Sequence, residues 1–165
     1  MTITFSAPAP LTAAHGIFDF FCGESSLDDW LRQRAMKNEA SGATRTYVVC
    51  SGSEVAGYYS LAVGSIERQF APGHIQRNMP QPIPVMILAR LAVDRRYTGQ
   101  NIGTGMLRDA LLRTLKAADI AGIRALLVHA LNERTAAFYR GRGFVAAPFD
   151  PLVLFLALDH VRTRM

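Results

Sequence analysis

PVMILARLAVDRRYTGQNIGTGML, residues 84–107, is the stretch on which the fold turns. From Pro84 to Asp94 it is almost continuously apolar, the composition of a central strand covered on both faces. Gly99 marks a tight turn. From about Gly103 onward Met106, Leu107, Ala110, Leu111 and Leu115 recur at the spacing of one helix face, with a stop expected at Gly122. Strand, small-residue loop and helix in that order set unpaired backbone N–H groups at the positive end of a helix dipole, which suits an anion. Small residues matter there because a side chain would hold a phosphate away from those donors. The familiar nucleotide loops do not fit: Arg108 stands where a dinucleotide fingerprint needs its third glycine, and the Gly-Lys-Ser/Thr of a P-loop is missing. Read from its residues alone, the loop is either an anion site or a turn that joins a strand to a helix.

Working outward, Ser25 and Ser26, each with an acid three residues on (Asp28, Asp29), announce a helix through LDDWLRQRAMKNEA whose inner face carries Trp30, Leu31 and Ala35. TRTYVVCSG and EVAGYYSLAVGSI read as antiparallel strands joined tightly through residues 52–54. After the loop helix, RALLVHAL is a buried strand, NERTAAFYRGRGF a short helix ending in glycines, and LVLFLAL a last strand. The order predicts an α/β fold with a mixed central sheet. Neither a repeat nor a Pro/Gly-rich linker divides the chain, so a single domain over 1–165 is expected.

The 165 residues carry 18 Lys plus Arg against 13 Asp plus Glu, a formal net charge of +5, and polyanions or phosphorylated ligands are the expected partners. The excess is arginine, since only Lys37 and Lys116 are lysines, and arginine makes the forked contact that phosphate favours. Cys22 and Cys50 are too few for a disulfide framework and have no metal-ligand spacing, so no metal is expected. MTITFSAPAPL lacks the basic start and apolar stretch of a signal peptide, and Arg90 interrupts the longest apolar run. A cytoplasmic protein without a membrane span is the expectation.

LARLAVDRRYTGQNIGTGML resembles the acetyl-coenzyme A segment of the GCN5-related N-acetyltransferases (the GNAT superfamily), whose loop reads [QR]-x-x-G-x-[GA]. On that pattern the loop is Thr98, Gly99, Gln100, Asn101, Ile102 and Gly103, with Thr98 where the family prefers Gln or Arg and Asn101 where it prefers Gly. Asn adopts the left-handed backbone conformation more readily than most residues, so the turn survives the second change. HALNERTAAFYRGRGF is similar to a second motif of the superfamily, carried here by Asn132, Phe138, Tyr139, Gly143 and Phe144. From the residues alone, Asn132 is a helix N-cap and Tyr139 a packing aromatic. The resemblance implies acetyl-coenzyme A as donor, held by Leu91, Ala92, Val93, Thr98, Gly99, Gln100, Asn101, Ile102, Gly103, Thr104, Asn132 and Phe138. It implies Tyr139 as the general acid that protonates the departing thiolate. It also gives the backbone N–H groups at Leu91, Ala92 and Val93 the task of polarising the thioester carbonyl. No general base stands out; His129, in LLVHAL, is expected to be a buried, hydrogen-bonded core histidine.

Nearly the whole chain resembles one branch of that superfamily, the TacT-like acetyltransferase toxins of type II toxin–antitoxin systems, through LDDWLRQRAMKNEASGATRTYVVC, VAGYYSLAVGS, RNMPQPIPVMILARLAVD and the second motif. The branch implies acetylation of the free α-amine of aminoacyl-tRNA, a ribbon-helix-helix antitoxin and a homodimer. Charge points the same way: residues 69–93 hold no acid, and Arg32, Lys37, Arg45, Arg77 and Arg90 are candidates for phosphate contacts with tRNA. Arg95 and Arg96 could face either coenzyme phosphates or RNA. The competing readings are a GNAT enzyme acting on a protein N-terminus or small amine, and a non-catalytic coenzyme-binding regulatory module.

Overall fold

The computed structural model describes residues 3–164; Met1, Thr2 and Met165, the ends of the expected 1–165 domain, lie outside the described residues. In chain order the elements are β1 (Ala9–Pro10), α1 (Ser25–Gln33), α2 (Ala35–Ser41), β2 (Arg45–Ser51), β3 (Glu54–Ile66), α3 (Gly73–Gln76) and β4 (Ile83–Val93). Then follow α4 (Ile102–Ala118), β5 (Ala125–His129), α5 (Glu133–Arg140), β6 (Val145–Ala146), β7 (Val153–Ala157) and α6 (Leu158–Arg164). The strands make one mixed sheet in the order β1-β2-β3-β4-β5-β7-β6, the α/β architecture that the strand and helix order predicts. Two compact units divide the chain: residues up to Ala62 with Ala89–Ala110, and Val63–Leu88 with the residues from Leu111 onward.

In the first unit β2 and β3 pair antiparallel from Arg45↔Leu61 to Ser51↔Glu54, with a bulge between Val49 and Cys50. Gly52, at φ +63°, makes their tight link. Trp30, Leu31 and Ala35 are buried, as their helical spacing predicts, in a core with Phe20, Val48, Tyr58 and Ala92. The expected single helix is two, broken at Arg34 (φ −121°). The serines do not start it through a capping box either: Ser25 is already helical, and the cap residue Glu24 makes no side-chain cap hydrogen bond. Asp28 turns inward instead and accepts the amides of Cys22 at 2.8 Å and Gly23 at 3.4 Å.

In the second unit β4 runs parallel to β5 from Val85↔Ala125 to Leu88↔Val128, and β7 pairs antiparallel with both β5 and β6. Its core gathers Ile75, Ile83, Val85, Leu127, Val153 and Phe155. Arg124 reaches back to α3, donating to the carbonyls of Ile75 at 3.1 Å and His74 at 2.8 Å. His129 corrects one expectation: it is exposed, not a core histidine. Residues 125–128 are buried on both faces of the sheet, whereas His129 is the last residue of β5, where cover ends on the face it shares with Leu127 while Ala130 on the other face stays buried. Helix α4 stops at Ala118, before Gly122, and the two-residue strands and α3 are too short to leave a periodic signal.

Candidate active site

The loop belongs to the first unit. Strand β4 ends at Val93, a 3-10 turn spans Arg95–Tyr97, and two residues then take the left-handed conformation: Gly99 at φ +81° and Asn101 at φ +62°. Asparagine therefore does at 101 what glycine would do. The carbonyl of Asn101 accepts the Gly105 amide at 3.0 Å, so Asn101 is the residue on which α4 starts. Ile102 and Gly103 fall in the first turn, where an amide has no acceptor within the helix. The Thr98 hydroxyl is turned to the loop itself and donates to the Arg95 carbonyl at 3.2 Å.

What fixes this helix start is a close approach. A Cβ on Gly57 of β3 would lie 2.9 Å from Ile102 Cγ2 and 3.0 Å from Met106 Cε, so the glycine lets α4 settle onto the strand. One turn further, buried Tyr59 donates a hydrogen bond to Asp109.

Asp94 is the residue that sequence reasoning missed. It is 1% exposed and accepts from the Phe21 amide at 3.0 Å, the Arg96 amide at 2.9 Å and the Arg96 guanidinium at 3.0 Å. Burial pushes its carboxyl pKa up, but these donors and the Arg96 charge outweigh burial and hold it below the ordinary value. Arg95 stays exposed but lies against Gly23 and over the Phe21 ring at 5.3 Å. Asp94 and Arg95 thus tie the base of the loop to residues 21–23, and Arg96 holds Asp94 in place. The available signal was an acid closing an apolar strand with an arginine two residues on; the partner, 73 positions away in sequence, left no trace.

Asn132, Phe138 and Tyr139 belong to the second unit. The Asn132 side chain accepts from the Thr135 amide at 2.9 Å and caps α5, as its position predicts. Tyr139 is 4% exposed, with ring centroids 5.1 Å from Phe138 and 5.3 Å from Phe144. Burial pushes its phenol well above the usual range, so it stays protonated at neutral pH. Arg142 lies 3.8 Å over the Phe138 ring and bonds the Phe138 carbonyl at 2.9 Å, clasping the end of the helix.

The basic candidates separate into two kinds. Arg32 is engaged by the Phe20 carbonyl at 2.7 Å and by Asp29 at 3.2 Å, and Arg45 by the Glu39 carbonyl at 2.9 Å. Lys37 is exposed on α2, and Arg90 lies over Trp30. In the second unit Arg77 lines a cleft of about 650 Å³ with His74, Asn78, Arg124, Asp159 and His160.

A family model described as the acetyltransferase (GNAT) domain matches residues 42–146, which include the loop, Asn132 and Tyr139. The chain belongs to the GNAT acetyltransferases. Over 96% of its length and 95% of the relative's, it is 46% identical to the tRNA-acetylating toxin of Mycobacterium tuberculosis (strain ATCC 25618 / H37Rv). Among solved structures, AtaT complexed with acetyl-methionyl-tRNAfMet superposes with a TM-score of 0.90 at 28% identity, covering 98% of this chain and 99% of that one. A tyrosine-to-phenylalanine mutant of the AtaT toxin, bound to the C-terminus of the antitoxin AtaR and acetyl-CoA, gives a TM-score of 0.81 at 27% identity over 98% of this chain and 97% of that one. This GNAT protein is accordingly an acetyl-coenzyme A-dependent N-acetyltransferase. No helix among its described residues is long and apolar enough to cross a membrane.

Proposed function

We propose that this protein is the toxin of a type II toxin–antitoxin pair and transfers the acetyl group of acetyl-coenzyme A to the free α-amine of aminoacyl-tRNA, which blocks translation. The observation that carries the reading is the 46% identity to a tRNA-acetylating toxin, because it runs through 96% of the chain. The first-turn amides of α4, which have no acceptor within the helix, support it by offering a diphosphate the donors it needs.

In this reading residues 98–104 take the coenzyme diphosphate, with Asn132 and Phe138 as further contacts, and the backbone N–H groups of residues 91–93 polarise the thioester carbonyl. The amine attacks the carbonyl carbon and the C–S bond breaks. Tyr139 gives its proton to the leaving thiolate, and the proton lost by the amine passes to solvent. Because an α-amine has a pKa of about 7.7 to 8.0, a useful fraction is already neutral and no strong base is required. Lys37, Arg77 and Arg90 contact RNA phosphates, while Arg32 and Arg45 add to the field from their engaged positions. The chain acts as one domain over 1–165, in the cytoplasm, as a homodimer, and is held in check by a ribbon-helix-helix antitoxin.

The test uses radiolabelled acetyl-coenzyme A and total charged tRNA with the protein and its Tyr139→Phe variant. Label in RNA that mild deacylation removes, and that the variant does not make, is the expected result. Label confined to protein N-termini or small amines would overturn the reading.

A further inference from the structure

Within the first unit three side chains stack beside α1. Tyr58 is buried, and its hydroxyl is engaged by the Leu27 carbonyl at 2.6 Å. Trp30 lies nearly parallel to it, with centroids 6.0 Å apart and planes 10° apart. The guanidinium carbon of Arg90 sits 4.1 Å from the centre of the Trp30 ring, so the indole meets both a phenol ring and a cation.

The acids of α1 do not neutralise that cation. Asp28 takes the amides of Cys22 and Gly23, and Asp29 takes Arg32. Burial lifts the Tyr58 phenol well above its ordinary range and keeps it uncharged. Arg32, Arg45 and Arg96 have carboxylates within 4.0 Å, whereas among the described residues Arg90 meets an aromatic face and no carboxylate. A partly desolvated guanidinium whose N–H edge meets no acceptor is costly, and a phosphate offsets that cost through a forked contact. A ring that fixes the guanidinium plane also removes the rotamer freedom that a phosphate would otherwise have to freeze out.

We propose that Trp30 is a positioning residue for RNA: by holding Arg90 flat, it aims the guanidinium edge at one phosphodiester of the bound tRNA. The inference rests on the aminoacyl-tRNA reading and adds to it a residue that carries no charge. Double-mutant analysis separates it from a merely structural role, since Trp30 acts through Arg90 and not beside it.

The measurement is the affinity for deacylated tRNA across a salt series, with acetyl-coenzyme A affinity as a second arm, for the full chain and for W30L, R90Q, W30L/R90Q, W30F and R90K. R90Q is expected to flatten the salt dependence by about 0.7 to 0.9 in slope, the value of one phosphate contact. W30L should weaken RNA binding about three- to tenfold when Arg90 is present, and under about twofold when residue 90 is glutamine. W30F should restore most of the loss, and coenzyme affinity should not move. If W30L does not fold, R90K decides together with W30F placed in the wild-type and R90Q backgrounds: R90K should keep the slope but lose affinity, and the small loss from W30F should vanish when residue 90 is glutamine. Equal losses from the Trp30 variants in both backgrounds, an unchanged slope in R90Q, or an equal loss of coenzyme affinity would each overturn the inference. A wild-type protein that acetylates charged tRNA while R90Q binds it normally sinks this inference alone. A wild-type protein that neither binds nor acetylates tRNA sinks the functional reading and this inference with it.

Discussion

The two segments assigned to acetyl transfer are held by different physics. Residues 94–105 rest on a buried carboxylate: Asp94 gathers two amides and a guanidinium, and left-handed residues at 99 and 101 turn the chain into α4. Residues 132–144 rest chiefly on aromatic packing, with Tyr139 against Phe138 and Phe144, Asn132 capping the start of α5 and Arg142 clasping its end. A carboxylate network fails when its charge or its donors change. An aromatic cluster fails when volume is removed. One region therefore answers to pH and the other chiefly to shape.

Tyr139→Phe should have the largest effect and sharpens the contrast, since it deletes the proton and leaves the volume. Single-turnover acetyl transfer should fall by about 10² to 10⁴, the range for one general acid, while the melting temperature stays within a few degrees. In the wild type, transfer should show no rate limb from this phenol through the neutral range, because burial raises its pKa. A rate that survives the change would remove Tyr139 from the chemistry.

Phe144→Ala breaks the packed region by volume. Phe144 is 3% exposed, and the loss should be about 3 to 5 kcal/mol in urea unfolding, with little dependence on pH.

Asp94→Asn breaks the other region, by about 1 to 3 kcal/mol at pH 7. The folded carboxyl lies below its unfolded value near 3.9, so its contribution is full above that pH and is lost as pH falls through the folded pKa. Urea titrations of wild type and variant should therefore draw together in acid. A gap that stays constant with pH would mean that the carboxylate charge does not hold the loop.

Gly99→Ala is the smallest test. At φ +81° an L side chain costs about 1 to 2 kcal/mol, and the strain sits in the loop, so acetyl-coenzyme A affinity measured by calorimetry should weaken more than stability does. Asn101→Gly should leave that affinity nearly unchanged, because both residues adopt the same turn.

Where the chain's own neighbours set the outcome, the sequence was enough. Apolar continuity from Pro84 to Asp94 marked a central strand, small residues marked the turn, 3.6-residue spacing marked α4, and Asn132 before α5 marked a cap. Those signals are local, and local backbone preference decides them. Tertiary structure decided what long-range partners decide: that Arg96 is taken by Asp94 and Arg32 by the Phe20 carbonyl, and that His129 falls where the sheet's cover ends. It also left Arg90 on an aromatic face with no acid to meet it among the described residues. Composition counts charges; only the folded chain says which of them are already answered, because a guanidinium takes its partner from whichever segment packs beside it.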